Sequence, residues 1–165
     1  MKWITHEVVA VGTAYLLGMP PEALGGVFLG SILPDMLDQC VAKALIFRNL
    51  AFNAIHRGPT HWFGWWLALL MAGVLQLYSP SLTQQITLFV TGVGFGGLAH
   101  IILDMCTVSG VPVVPWSKKP SVSLKLCKTG SAREYAFLLA TVLAFGLFAR
   151  QDILELVAKV KKYAP

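Results

Sequence analysis

The chain is 165 residues long and 56% hydrophobic, with 13% charged residues and a formal net charge of +5. An average soluble domain carries roughly 25% charged residues, so a disordered chain, a collagen-like chain and a polar DNA-binding module are excluded. Length allows one domain over 1–165, and a mean hydropathy of +0.67 with long apolar runs points to a small polytopic membrane protein. The excess of basic residues then reads as membrane topology, and no nucleic-acid partner is expected.

Only Lys2 precedes the first apolar stretch, and His6 and Glu7 interrupt its start. With no small-x-small site at its end, a cleavable signal is not expected and the first helix should remain. Val8–Leu17 ends at Gly18-Met19-Pro20-Pro21, and Ala23–Leu33 ends at Pro34-Asp35. Two short runs around paired prolines predict a helical hairpin from His6 to Asp35. Each arm is roughly 20–25 Å at 1.5 Å per residue, short for a ~30 Å hydrocarbon core.

Val41–Ile55 mixes Lys43, Arg48 and Asn53 with Leu45, Ile46, Phe47 and Phe52, which predicts an amphipathic interfacial helix. Trp62–Tyr78 is the strongest apolar run and ends at Ser79-Pro80. Ile86–Leu103 follows, with Gly92-x-x-x-Gly96 as a small face for close helix approach. The 105–131 segment reads as a basic loop, with Gly110, Pro112, Pro115, Pro120 and Gly130 beside Lys118, Lys119, Lys125 and Lys128. Tyr135–Ala149 is the last apolar run, and 151–165 is a charged amphipathic tail. The expected fold is an all-α membrane bundle of about four to five embedded helices. Cys40, Cys106 and Cys127 are odd in number and form no CxxC pair, against a disulfide framework or a zinc ribbon.

The few polar residues are not scattered. His6 opens the first helix and Asp35 closes the second; His56 and His61 precede or open the third, and His100 and Asp104 close the fourth. In an up-and-down bundle these ends share one membrane face. Ionisable groups there are costly and tend to mark function. Imidazole nitrogen and carboxylate oxygen together suit zinc or another divalent metal. His100 and Asp104, four apart, share a helix face. His56 and His61, five apart, converge only if Gly58-Pro59 breaks the segment, which lets Thr60 cap the next helix.

Three segments carry a family resemblance: Gly30-Ser-Ile-Leu-Pro-Asp35, His56-Arg-Gly-Pro-Thr-His61, and Gly97-Leu-Ala-His-Ile-Ile-Leu-Asp-Met-Cys-Thr-Val-Ser-Gly-Val-Pro112. Over about His6 to Gly130 the chain resembles the YdjM-type membrane-bound metal-dependent hydrolases, also called LexA-binding, inner-membrane-associated hydrolases. The resemblance implies a zinc-phospholipase-C-like site at one face of a bacterial inner membrane, in a multi-pass protein. It places His6, Asp35, His56, His61, His100 and Asp104 at metal-ligand positions, with Arg57 and Thr60 inside the motif. Two departures stand out. The second carboxylate, Asp38, comes one residue later than in the family's Pro-Asp-x-Asp, and Trp62 stands where a serine usually follows the second histidine.

These are more ligands than the three or four that one zinc needs, so one or two ions are expected, Zn2+ first, with Mn2+ or Fe2+ as other candidates. The chemistry implied is metal-activated hydrolysis of a phosphoester, a lipid-linked one among the candidates. Asp38 or Asp35 is a candidate general base. Arg57 is a candidate phosphate contact or an interfacial arginine reaching lipid headgroups. With Thr60, Asp38 and Arg57 make up the expected catalytic set. Nine basic residues on the expected site face (Lys2, Lys43, Arg48, Arg57, Lys118, Lys119, Lys125, Lys128, Arg133) against Arg150, Lys159, Lys161 and Lys162 place that face in the cytoplasm. Membrane lipids are the expected partners, and a monomer is the default. A scaffold or binding protein with a structural metal is the alternative. A transporter is disfavoured, since Gln76 is the only strongly polar residue in the third run.

Overall fold

The computed structural model describes residues 1–44, 55–78, 83–152 and 154–155. Helix α1 spans Trp3–Leu16 and α2 spans Pro21–Lys43. A 3-10 turn, Pro59–His61, leads into α3, Phe63–Tyr78. Helix α4 is Gln84–Met105, strands β1 and β2 are Val111–Val114 and Ser117–Val122, and α5 is Ala132–Phe148. The molecule is mostly helical, as expected. The predicted 41–55 helix falls largely on 45–54, and the tail largely on 156–165, both outside the described residues.

The α1–α2 hairpin forms at the predicted place, and its turn has a clear cause. Gly18 takes a left-handed φ of +72°, and its N–H donates to the Tyr15 carbonyl while the Met19 N–H donates to Ala14. This pair of bonds closes a helix C-terminus around a residue that only glycine adopts cheaply. Pro21 then starts α2 at a position where its missing N–H costs nothing.

The expected end of α2 at Asp35 is corrected: the helix continues through Pro34 to Lys43. A proline removes one helical N–H, and neighbouring groups in a packed bundle can satisfy what it releases. The consequence is functional, because Asp35 and Asp38 become an i,i+3 pair on one continuous helix.

Helix α4 is the centre of the bundle, with α2 and α3 both packed on it. Glycine sets the approach. A Cβ at Gly26 or Gly30 would run into the Phe89 and Val93 carbonyls, and one at Gly92 or Gly96 into those of Ala23 and Val27. The small face at Gly92 and Gly96 therefore meets a second one, Gly26-x-x-x-Gly30, and the two backbones touch. On the other side, Gly73 of α3 lies against Thr91, and Gly97 receives the Trp66 ring. Helix α1 adds a stripe at four-residue spacing, His6, Ala10 and Ala14, all buried. Helix α5 packs on α1 through Phe145 against Gly12.

The expected 105–131 loop holds a β-hairpin, while the chain as a whole is mostly helical. β1 and β2 pair antiparallel, with Val111 opposite Val122, Pro112 opposite Ser121 and Val114 opposite Ser117. Proline removes a ladder donor but is tolerated in an edge strand, and a two-stranded sheet has only edges. Valines at 111, 113, 114 and 122 supply the strand preference that the glycines and prolines mask.

Among the described residues, α4 is the one helix both long and apolar enough to cross a membrane; α3 is apolar but shorter. The outer faces of α3 and α5 expose Trp65, Leu67, Met71, Leu75 and Phe137, Leu139, Val142, Leu143, Leu147. Soluble monomers rarely expose contiguous apolar faces of this extent.

Candidate metal centre

The fold brings the predicted site residues to one end of the bundle. His6 comes from the first turns of α1, Asp35 and Asp38 from α2, His61 from the 3-10 turn, and His100 and Asp104 from the last turns of α4. All six are buried. His56 and Arg57 precede the turn and are partly exposed. The break expected at Gly58-Pro59 is present, with Arg57 itself in a left-handed conformation at φ 58°.

Three overlapping groups have ligand atoms close enough to share an ion: His6, His100 and Asp104; Asp35, His61 and His100; Asp38, His56 and His61. The middle group sits between the other two and shares a histidine with each. Asp35 Oδ1 lies 3.3 Å from His61 Nε2 and 3.8 Å from His100 Nε2. Asp104 Oδ2 lies 3.8 Å from both imidazole nitrogens. Ligands about 2.0–2.1 Å from a tetrahedral zinc stand roughly 3.3–3.4 Å from one another, so these separations fit with little movement.

The donor set passes a second test. Asp35 Oδ1, His61 Nε2, His100 Nε2 and both nitrogens of His6 are buried without a hydrogen-bond partner. Each such orphan costs about 1–3 kcal/mol. Asp35 Oδ1, His61 Nε2 and His100 Nε2 face one another, and such a set is what a cation-binding site costs a fold when nothing else satisfies it. The residues present therefore fit a divalent ion.

The imidazoles are aimed by their other nitrogens. His100 Nδ1 lies 2.6 Å from the Ser31 carbonyl. A carbonyl only accepts, so Nδ1 carries the proton and Nε2 presents its lone pair to the cluster. His61 Nδ1 is 3.0 Å from Thr60 Oγ1, whose hydroxyl donates to Asp38 Oδ1 at 2.5 Å. That relay places the proton on Nδ1 of His61 and again leaves Nε2 for the cluster. Thr60 is thus not the helix cap it was expected to be: its hydroxyl is spent on Asp38, and α3 begins only at Phe63. The Thr60 carbonyl accepts from Trp66 Nε1, which pins the turn to α3.

Asp38 is drawn into the site by the continuation of α2. Its Oδ2 accepts the Arg57 N–H at 3.1 Å and lies 3.2 Å from His56 Nδ1. The Arg57 guanidinium turns to α4, donating to Asp104 Oδ1 at 2.9 Å and to Thr107 Oγ1 at 2.7 Å. Asp104 Oδ1 also meets the Met1 amine at 2.5 Å, and His6 Nε2 is 3.4 Å away. His6 and His100 stack with ring centroids 3.7 Å apart.

A polar cavity of about 400 Å3 adjoins the cluster, lined by Asp35, His56, Arg57, Ser109, Gly110 and Ser121 among others. Burial raises the Cys106 and Cys127 thiols above their ordinary range, and neither falls in any of the three histidine–aspartate groups.

Several residues at the site escaped the sequence reading. Trp3 Nε1 donates to Asp35 Oδ2 at 2.8 Å, leaving Oδ1 as the unpartnered oxygen. Glu134 is fully buried and accepts from Lys2 N, Thr5 Oγ1 and Gly130 N at 2.6, 2.9 and 2.6 Å, fixing the chain that carries His6. Its signal was present as Ser131-x-x-Glu134 before an apolar run, a helix-start pattern.

Among the curated proteins and the solved structures, none matches the chain. A family model does: residues 1–159 match the family described as YdjM inner membrane protein, and the chain belongs to that family.

Proposed function

We propose that the protein is a multi-pass, membrane-embedded, metal-dependent hydrolase acting on a phosphoester, with its site at the cytoplasmic face. The observation that carries this reading is the convergence of unpartnered Asp35 Oδ1, His61 Nε2 and His100 Nε2 beside an open polar cavity. A structural ion is normally closed in by four protein ligands, whereas a catalytic one keeps a position open.

Asp35, His61 and His100 would hold the ion, with Asp104 Oδ2 3.8 Å from both imidazole nitrogens. When bound, the ion supplies a Lewis acid that draws charge from a phosphoryl oxygen and makes water nucleophilic near neutral pH. Zn2+ suits this mixed nitrogen and oxygen set best. His100 offers one nitrogen to the cluster, because Ser31 takes the other.

The chain's own residues orient and neutralise. Ser31 and the Thr60–Asp38 relay hold two imidazoles in their ligating tautomers. Asp38 and Thr60, expected as catalytic, act through His61 and are positioning residues in this reading. Arg57 spends its guanidinium on Asp104 and Thr107 while lining the cavity, so it anchors the turn at the mouth.

Metal content per chain of detergent-purified protein tests the reading. Wild type should carry one or two divalent ions, and a His61→Ala, His100→Ala variant almost none. Failure of wild type to take up zinc, manganese or iron on reconstitution would overturn it.

A further inference from the structure

Helices α2 and α3 both pack on α4 and leave a groove between them. Leu33 and Leu37 of α2 line one side, and Trp65, Trp66 and Leu69 of α3 the other. Its volume is about 410 Å3, within the range of roughly 300–1,000 Å3 typical of small-molecule sites. Leu37 and Trp65 stand 41% and 49% exposed at its lip, so it opens outward, onto the side of the bundle. Its head is Pro59 and Thr60. That position matters, because the Thr60 hydroxyl bonds Asp38 and its neighbour is His61.

The polar cavity begins on the other side of the same short turn, at His56 and Arg57. One turn of chain thus separates an apolar groove from a polar cavity beside the cluster. The outer faces of α3 and α5 are also apolar, but a lipid lying there meets no polar cluster. A groove that ends at one selects an amphiphile. The polar cavity suits a head: Asp35, His56 and Arg57 line it, with the Arg57 guanidinium held on Asp104, and exposed Lys119, which favours an anion, shares a strand with the lining residue Ser121.

We propose that the α2–α3 groove binds a hydrocarbon chain of a membrane lipid whose phosphoester lies at the histidine–aspartate cluster. The inference rests on the hydrolase reading for its headgroup and on the groove for its chain. The substrate class is then a lipid phosphoester drawn sideways from the leaflet, and a water-soluble phosphoester would leave the groove unused.

Tryptophan fluorescence tests this without turnover. Phosphatidylglycerol brominated on its acyl chains is titrated into wild-type protein in unbrominated detergent, since bromine quenches indole only at contact. Saturable quenching is expected, and it should vanish in Trp65→Phe, Trp66→Phe. Filling the groove with Leu33→Phe, Leu69→Phe should weaken the apparent affinity by about tenfold or more. The milder Leu37→Phe, at the exposed lip, should weaken it in the same direction and guards against misfolding. Leu139→Phe, on the outer face of α5, should change nothing. Brominated diacylglycerol, which lacks the phosphate, should bind about tenfold more weakly or worse.

Linear quenching that is identical in wild type and both filled variants would overturn the groove. Equal affinity for brominated diacylglycerol would overturn the placement of the phosphoester at the cluster. Metal content measured on the same samples keeps the two readings apart: metal without saturable quenching sinks the groove alone, and saturable quenching without metal sinks the hydrolase reading alone.

Discussion

Glu134 and the histidine–aspartate cluster are both buried at the same end of the bundle, yet they are satisfied in opposite ways. Every partner of Glu134 is supplied by the chain: two backbone N–H groups and one hydroxyl. The cluster keeps five buried polar atoms without partners. A carboxylate surrounded by donors holds a fold together. A set of acceptors facing one another weakens the fold until a cation arrives. The two regions are coupled, since Glu134 fixes Lys2 and Thr5 and so the approach of His6.

This contrast can be broken or sharpened by four measurements. The largest effect should come from the ion itself. A ligand that binds only the folded state at 1,000 times its Kd stabilises by about 4 kcal/mol. Stripping wild type with a chelator should therefore lower its thermal stability in detergent by about that much, and leave His61→Ala, His100→Ala unmoved. Equal sensitivity of the two proteins would break the contrast.

Next comes Glu134→Ala, which leaves three donors without their acceptor. A loss of about 3 kcal/mol is expected, from about 1–3 kcal/mol for each buried unsatisfied group with partial rescue by water. The loss should appear equally with and without metal, read by thermal unfolding. A loss confined to the metal-loaded protein would make Glu134 part of the metal site instead of a latch.

Thr60→Val keeps the side-chain shape and removes the hydroxyl between His61 and Asp38. Outer-shell partners of this kind typically contribute about 10–100-fold to metal affinity. Competition with a chromophoric chelator should show a loss in that range. An unchanged affinity would mean that the relay does not orient His61.

The smallest effect has the opposite sign. His6→Phe replaces two unpartnered nitrogens with apolar ring atoms of similar shape. In metal-free protein this should raise stability by about 1 kcal/mol, since removing an unsatisfied pair can be neutral or stabilising. In metal-loaded protein the same change should cost stability if His6 is a ligand. Destabilisation in both states would mean that the stacked His6–His100 pair is a packing element.

Much of the site was legible before the fold was known. The histidines and acids stand at the ends of apolar runs, and alternating helix directions bring such ends to one face. That logic needs only segment boundaries, and it placed His6, His61, His100 and Asp104 together. Asp38 was harder. Pro34 reads locally as a helix stop, but packing carries α2 past it, and that continuation brings Asp38 into contact with Thr60 and Arg57. The β-hairpin was hidden by its own glycines and prolines, and Glu134 by lying far from every other site residue in sequence.

The amino-acid sequence by itself determined where the helices start and stop at Gly18-Pro21 and Gly58-Pro59, that the surface would be apolar, and which side chains had metal-binding chemistry. These are local properties of φ, of hydrogen-bonding groups and of transfer from water. Only the tertiary structure decided which nitrogen of His61 and of His100 faces the cluster, that Gly26 and Gly30 meet Gly92 and Gly96, and that an apolar groove ends at Thr60. Each depends on a partner that lies far away along the chain, such as Ser31 for His100 and Asp38 for Thr60. No local signal records such a partner, because the energy of the contact exists only once the helices have packed.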